Sequence, residues 1–558
     1  MIRGANTHAI ATRLTRPWWQ DAVIYQVYPR SFVDTNADGI GDLPGIIERL
    51  PYLRSLGVDA LWLSPFFQSP MVDYGYDISD HTAVDPIFGT DADADALITA
   101  AHAHDLRILV DIVLPHTSDQ HRWFRDAATS RTAPMRDYYV WRDGPTPGRP
   151  DGGPPNNWAA GFPPGSSSWT WHPATAQWYL HSHLPQEPDL DWSNPAVRAA
   201  QLDVLRFWLD RGIDGVRLDS INRLGKDPAY RDNVAGQPVR QQDWPALHDY
   251  LRQVRALVDE YPGAVTVGEV WEFDQRRILP YLAPDELHLA HNFVFARMPF
   301  DATEIRRTVE EFNDLASPNT WPAWFLNNHD EPRVVSRWST PSDDDKIRYA
   351  RGRLAAMLLL TLRGTPFLYQ GEELGLPDSE LPPGVGKDRN GRDPQRTPMP
   401  WAPPSTAGPG AGFSTSKPWL PIGPTAEQLN VASELQDQSS MLTLYRTLLG
   451  LRRTRPSLQT GSQLFLDAPR DILAYLRTED GERSLVVLNF AATTCSLNIA
   501  LVLGRGWSST PLLLASTGDA AGTMPADTAG GPFSNIVLSP FSGLILDPGA
   551  AEETQATE

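Results

Sequence analysis

Short apolar runs recur between longer stretches of helical spacing, and this alternation constrains the chain more than any other feature. Eight such runs fall at residues 22–28, 60–63, 107–113, 215–219, 264–270, 289–294, 324–327 and 365–369. Between them lie helical patterns such as 195–211, with Leu202, Leu205, Phe207, Trp208 and Leu209 at helical spacing. Strands alternating with helices pair in parallel, and eight such units close into a barrel. A barrel of this kind takes about 250 residues or more. The chain has 558, so further units are expected.

The irregular stretches indicate where those units lie. Residues 117–187 are rich in Pro, Gly, Trp and Asn and show little helical period. Their aromatics, among them Trp158, Phe162, Trp169, Trp171, Trp178 and Tyr179, need burial, so an inserted subdomain is expected there rather than a linker. Residues 377–424 are Pro- and Gly-rich and read as a loop excursion, and 442–453 as the last barrel helix. Beyond about 457 the pattern changes to short strands at 472–477, 484–490, 495–499, 536–538 and 543–546. The expected fold is α/β: a (β/α)8 TIM barrel in two parts, 1–116 and 188–457. The inserted subdomain 117–187 follows its third strand, and an antiparallel β-sandwich domain occupies 458–558. The acidic, small-residue tail 550–558 reads as disordered.

Charge and cysteine content remove several classes of function. With 48 basic and 68 acidic residues the formal charge is −20, which disfavours nucleic acid as a partner but does not repel a neutral sugar. One cysteine, Cys495, excludes an intrachain disulfide and disfavours a cysteine-based zinc site. Residues 1–17 carry Arg3, Arg13 and Arg16 without an apolar run, and no run near 18 residues could span a membrane. The expectation is a cytoplasmic protein without a membrane partner.

Catalytic groups of such barrels sit at the C-terminal ends of the strands. Asp111 lies on the third run with His116 behind it, Arg217 and Asp219 close the fourth, Glu269 closes the fifth, and His329 and Asp330 follow the seventh. Any one of these acids alone would read as a loop salt bridge. Together they offer the ionised and protonated carboxyls that glycoside cleavage requires. A second pattern spaces oxygens around a glycine turn: Asp34, Asn36, Asp38, the Ile40 carbonyl and Asp42. A structural Ca2+ or Mg2+ away from the catalytic acids is the expectation here, and an Asx-rich turn satisfied by its own backbone is the alternative.

These segments resemble the short blocks of the α-amylase superfamily, glycoside hydrolase family 13. The blocks are 111–116, 215–219, 268–270 and 328–330, supported by 186–192 and 364–373, and the likeness covers roughly 17–548. Residues 19–31, 73–78, 156–158 and 392–401 resemble the bacterial α-glucosidase and oligo-1,6-glucosidase branch. The resemblance implies Asp219 as nucleophile, Glu269 as general acid/base and Asp330 as the carboxylate holding the sugar. It implies further that Arg217 keeps Asp219 ionised, that His116 and His329 bond glucose hydroxyls, and that Tyr76 stacks on the ring. Asp73 and Arg396 would pair at the blind end and grip the non-reducing 4-OH, while Phe162 packs against the site from the inserted subdomain. One departure is Pro115, where the family usually carries Asn.

The function implied is a retaining, exo-acting α-glucosidase cleaving short, maltose-like α-glucosides. Transfer to hydroxyl acceptors, no catalytic cofactor, and a monomer or homodimer are also expected. Ser220, directly after the nucleophile, would border the acceptor side and favour α-1,4 over α-1,6 linkages. An oligo-1,6-glucosidase and a sucrose or maltose isomerase stay open as alternatives. A non-enzymatic transporter-subunit relative is disfavoured by the complete carboxylate set.

Overall fold

The computed structural model describes residues 16–498, 512–516 and 535–548. Eight parallel strands form a closed barrel: β1 Ile24–Val27, β2 Ala60–Leu63, β3 Arg107–Val113, β4 Gly215–Asp219, β5 Val265–Glu269, β6 Leu289–His291, β7 Ala323–Phe325 and β8 Thr365–Tyr369. Each pairs with its sequence neighbour, and β8 closes on β1 with Ile24 opposite Phe367. The strands are apolar on both faces because both are covered. Ile24, Trp62, Leu109, Val267, Leu289 and Phe325 belong to one buried cluster inside the barrel. Residues such as Tyr25, Leu61, Val110, Val216 and Leu368 pack outward with the helices.

The ring is built from α1 Leu43–Leu56, α2 Asp91–Ala103, α3 Pro195–Asp210, α4 Ala246–Val258, α5 Ala302–Leu315, α6 Asp345–Thr361 and α7 Met441–Thr454. Local chemistry fixes their starts. Thr90 and Asp93 form a reciprocal capping box on α2, while Asp42 and Ser440 accept from Gly45 N and Thr443 N. After β5 the chain makes only short turns, Gln275–Ile278 and Leu279–Leu282. The sixth expected strand stops early, at His291. Asn292 caps a helical turn, Phe293–Ala296, by accepting from Phe295 N.

Within 117–187 the strands Trp141–Arg142, Gln177–Leu180 and Trp169–His172 form an antiparallel sheet. Val140, Trp158, Trp169 and Leu180 form a small core of their own there. The C-terminal domain contains β9 Ser462–Phe465, β10 Ile472–Glu479, β11 Glu482–Asn489, β12 Cys495–Asn498, β13 Leu512–Ala515, β14 Asn535–Leu538 and β15 Gly543–Leu546. Its main sheet runs β9-β10-β11-β15-β13, and β12 pairs with β14. Leu485, Val487 and Leu546 of the sheet share a core with Leu497 and Ile536 of the pair. Strands β9 and β13 were not expected from the sequence. Ile499 and the tail 550–558 lie outside the described residues, as do residues 1–15. Among the described residues no helix is long and apolar enough to cross a membrane.

Candidate active site

Strand register assembles the centre. Asp111 of β3 stands opposite Arg217 of β4, and β4 runs beside β5, which ends in Glu269. The fully buried Arg217 guanidinium reaches Asp111 at 2.8 Å, Asp219 at 2.7 Å and Glu269 Oε1 at 3.1 Å. Trp62 Nε1 and the Tyr76 hydroxyl donate to Asp111 Oδ2 at 3.1 and 3.0 Å. Three carboxylates thus share one cation, and their ionisation is set by burial against that cation. Burial pushes Asp219 up to about 6, with Arg217 opposing and Asp111 adding to the rise. Burial pushes Glu269 up to about 7, again against Arg217, with Asp219 and Asp330 adding. Near neutrality Asp219 is the more ionised and Glu269 the more protonated, the division of labour that glycoside cleavage uses.

Asp330 is held differently. Burial works to raise its carboxyl, but His329, Arg392 and Arg396 outweigh it and keep the group well below its usual range. His329 Nε2 lies 3.0 Å from Oδ2, and Arg392 and Arg396 both reach Oδ1, at 2.9 and 2.8 Å. Asp330 is therefore a fixed anion. His329 is anchored from behind by Gln26 at 2.8 Å and stacks on Tyr76, with ring centroids 5.2 Å apart. Burial lowers His116 to about 4, so it is a neutral imidazole beside the Tyr76 carbonyl.

These groups surround a cavity of about 270 Å³. Asp73, Tyr76, His116, Phe162, Asp219, Ser220, Glu269 and Asp330 of the expected residues line it. Arg217 lies beneath the carboxylates, and His329 and Arg396 stand behind Asp330. Sequence reasoning did not assign His183, Asn222, Arg223, Trp271 and Arg392, which also line it. Arg392 lay within a recognised block; the others carried no signal beyond sitting after a strand end.

Two expectations are corrected. The Asp73–Arg396 pair is not formed: Asp73 pairs with Arg392, which also bonds Asp388 at 2.8 Å. Arg396 instead donates to the His329 carbonyl at 2.7 Å and to Asp330, buried behind the pocket wall. The turn Asp393–Gln395 separates the two arginines, leaving the earlier one on the cavity side. Ser220, expected to meet an acceptor sugar, spends its hydroxyl on Glu269 Oε2 at 3.2 Å, alongside its own N–H at 2.9 Å. Its left-handed backbone, φ 42°, brings both donors round to one oxygen.

In the 34–42 loop the side-chain oxygens accept mostly from N–H groups of the loop itself. Asp34 accepts from Ala37 N, Gly39 N and the Ser414 hydroxyl. Asn36 accepts from Asp38 N, Asp38 from Ile40 N, and Asp42 from Thr35 and Gly45. These are turns satisfied by their own backbone. Among the described residues no group of three or more His, Cys, Asp or Glu side chains could hold a metal.

The chain is similar to known proteins over most of its length. Residues 26–461 match the family model described as alpha amylase, catalytic domain. A probable alpha-glucosidase of Rhizobium meliloti is 43% identical over 511 residues, 85% of this chain and 90% of that protein. An oligo-1,6-glucosidase of Heyndrickxia coagulans is 35% identical over 543 residues, covering 88% and 96%. The crystal structure of an alpha-glucosyl transfer enzyme, XgtA, superposes with a TM-score of 0.85 at 39% identity, covering 95% of this chain and 99% of that one.

Proposed function

The chain belongs to the α-amylase family, as a glycoside hydrolase of its α-glucosidase group, and from that premise we propose an exo-acting, retaining enzyme on short α-glucosides. Asp219 attacks the anomeric carbon while Glu269 protonates the leaving oxygen. The glucosyl-enzyme so formed is then attacked by water, or by another hydroxyl, with Glu269 as base. Asp330, fixed as an anion, holds the sugar hydroxyls. Configuration at the anomeric carbon is kept.

The observation that carries the exo mode is Arg392, ion-paired with both Asp73 and Asp330 in the cavity that Asp219 and Glu269 also line. That bridge walls off the space beyond one glucose. Maltose-like α-1,4 substrates are favoured over isomaltose because Ser220 leaves room that a branched residue would fill. Comparing products from maltose, isomaltose, sucrose and starch tests this. Glucose from maltose first and fastest is expected. Preferred isomaltose cleavage, or isomerised sucrose, would move the enzyme to a neighbouring specificity.

The substrates that fit are small α-glucosides met in the cytoplasm, with hydroxyl compounds as acceptors. A divalent cation at 34–42 rests on oxygen spacing alone and would serve stability, since no step above uses it. A chelator should then lower Tm; an unchanged Tm leaves the loop as a self-satisfied turn.

A further inference from the structure

The Glu269 side of the cavity is built unlike its glucose side. Around Asp330 each cation has its anion. The turn Ile221–Arg223, which directly follows Ser220, instead presents polar atoms without a hydrogen-bond partner among the described residues. Asn222 is fully buried, lines the cavity, and has neither its amide nitrogen nor its oxygen in a hydrogen bond. Arg223 lines the same wall with Nη1 buried and unpartnered, and His183 with Nε2 buried and unpartnered. Arg223 and His183 converge beside the Gly161 backbone: a Cβ built there would lie 3.5 Å from Arg223 Nη2 and 3.7 Å from His183 Nδ1.

Charge sharpens the contrast. Asp189 and Glu272 are the acids whose fields reach Arg223, and each is already engaged. Lys226 holds Asp189 at 3.0 Å, and Arg277 holds Glu272 at 2.6 Å. Burial lowers the Arg223 pKa, and burial also keeps His183 neutral. Arg223 is half-buried and forms no ion pair among the described residues, so its charge is open to an anion from outside. Planar carboxylates and phosphate oxygens suit its forked donors.

We propose that the leaving-group side of this cavity recognises an anionic aglycone or acceptor, a carboxylate or a phosphate ester, through Arg223, with Asn222 and His183 completing its hydrogen bonds. This rests on the catalytic reading of Asp219 and Glu269. Ser220 ties Glu269 to the start of the turn, so the group that departs with the Glu269 proton is the one facing Arg223.

The test uses the full chain and three aryl or glycosyl α-glucosides: an uncharged one, one with a carboxylate on the leaving group, and one whose leaving sugar bears a phosphate. The readout is the ratio of kcat/KM for each anionic substrate to the uncharged one, in the native enzyme, Arg223→Gln and Arg223→Lys. The ratio should fall about tenfold or more in Arg223→Gln for at least one anion and be partly kept in Arg223→Lys. Which anion responds identifies carboxylate or phosphate as the ligand. A ratio unchanged by Arg223→Gln for both anions, with the native enzyme turning over the uncharged glucoside, would overturn the proposal and leave the catalytic reading standing. Absence of turnover on all three by the folded native enzyme would remove the catalytic reading, and this proposal with it.

Discussion

Arg217 is the residue on which the chemistry turns, because one buried guanidinium faces Asp111, Asp219 and Glu269 together. Asp219→Asn should abolish turnover while the fold survives, checked by kcat on an aryl α-glucoside and by circular dichroism. Glu269→Gln should fail most severely with poor leaving groups such as maltose, since these need the proton. Asp219 must be ionised and Glu269 protonated, so activity should fall below about 6 as Asp219 protonates and above about 7 as Glu269 loses its proton. A kcat/KM profile against pH reads both limbs. Ser220→Ala removes a donor that stabilises the Glu269 anion, so its alkaline limb should move upward. Displacement downward would contradict that hydrogen bond. The acids were legible in the sequence because each closes a strand at a fixed place in barrel order. The partner of Asp73 was not: Arg392 and Arg396 lie four residues apart, and only the turn between them decides which faces the cavity.

Among the elements, β4 and β5 place the two reacting carboxyls, and glycines let them come close. A Cβ at Gly215 would stand 2.5 Å from the Val265 carbonyl oxygen of the neighbouring strand. Gly215→Ala should therefore lower stability by about 1–3 kcal/mol and lower kcat with it, read from Tm and from activity well below Tm. The excursion 377–424 carries Arg392, and Arg392→Ala would strand Asp73. If that leaves an uncompensated buried charge the cost is about 3–5 kcal/mol, and kcat/KM for maltose should fall with it. The eight strand runs could be read from alternation alone, but their ends could not. His291 ends β6 because the next side chain, Asn292, caps a turn. Strands β9 and β13 escaped notice because neither shows the alternation of a half-buried strand. Asp34 and Asp42 read from the sequence as metal ligands, yet their oxygens accept from backbone N–H groups, which spacing alone does not reveal.

On the scale of the whole molecule, the barrel, the inserted subdomain and the 377–424 excursion line the active-site cavity together, with Phe162 from the insert and Arg392 from the excursion. On the proposed exo mode, a pocket so bounded admits chain ends rather than chain middles. Starch should release glucose slowly with no early loss of viscosity, and rapid thinning would contradict the exo mode. The most direct test of the central claim is covalent trapping. A slow fluorinated α-glucosyl fluoride is incubated with the enzyme, the adduct is digested, and the labelled peptide is sequenced by mass spectrometry. The expected result is a single glucosyl adduct on Asp219, with turnover of an ordinary α-glucoside giving α-glucose first. An adduct on any other residue, or β-glucose as the first product, would contradict it.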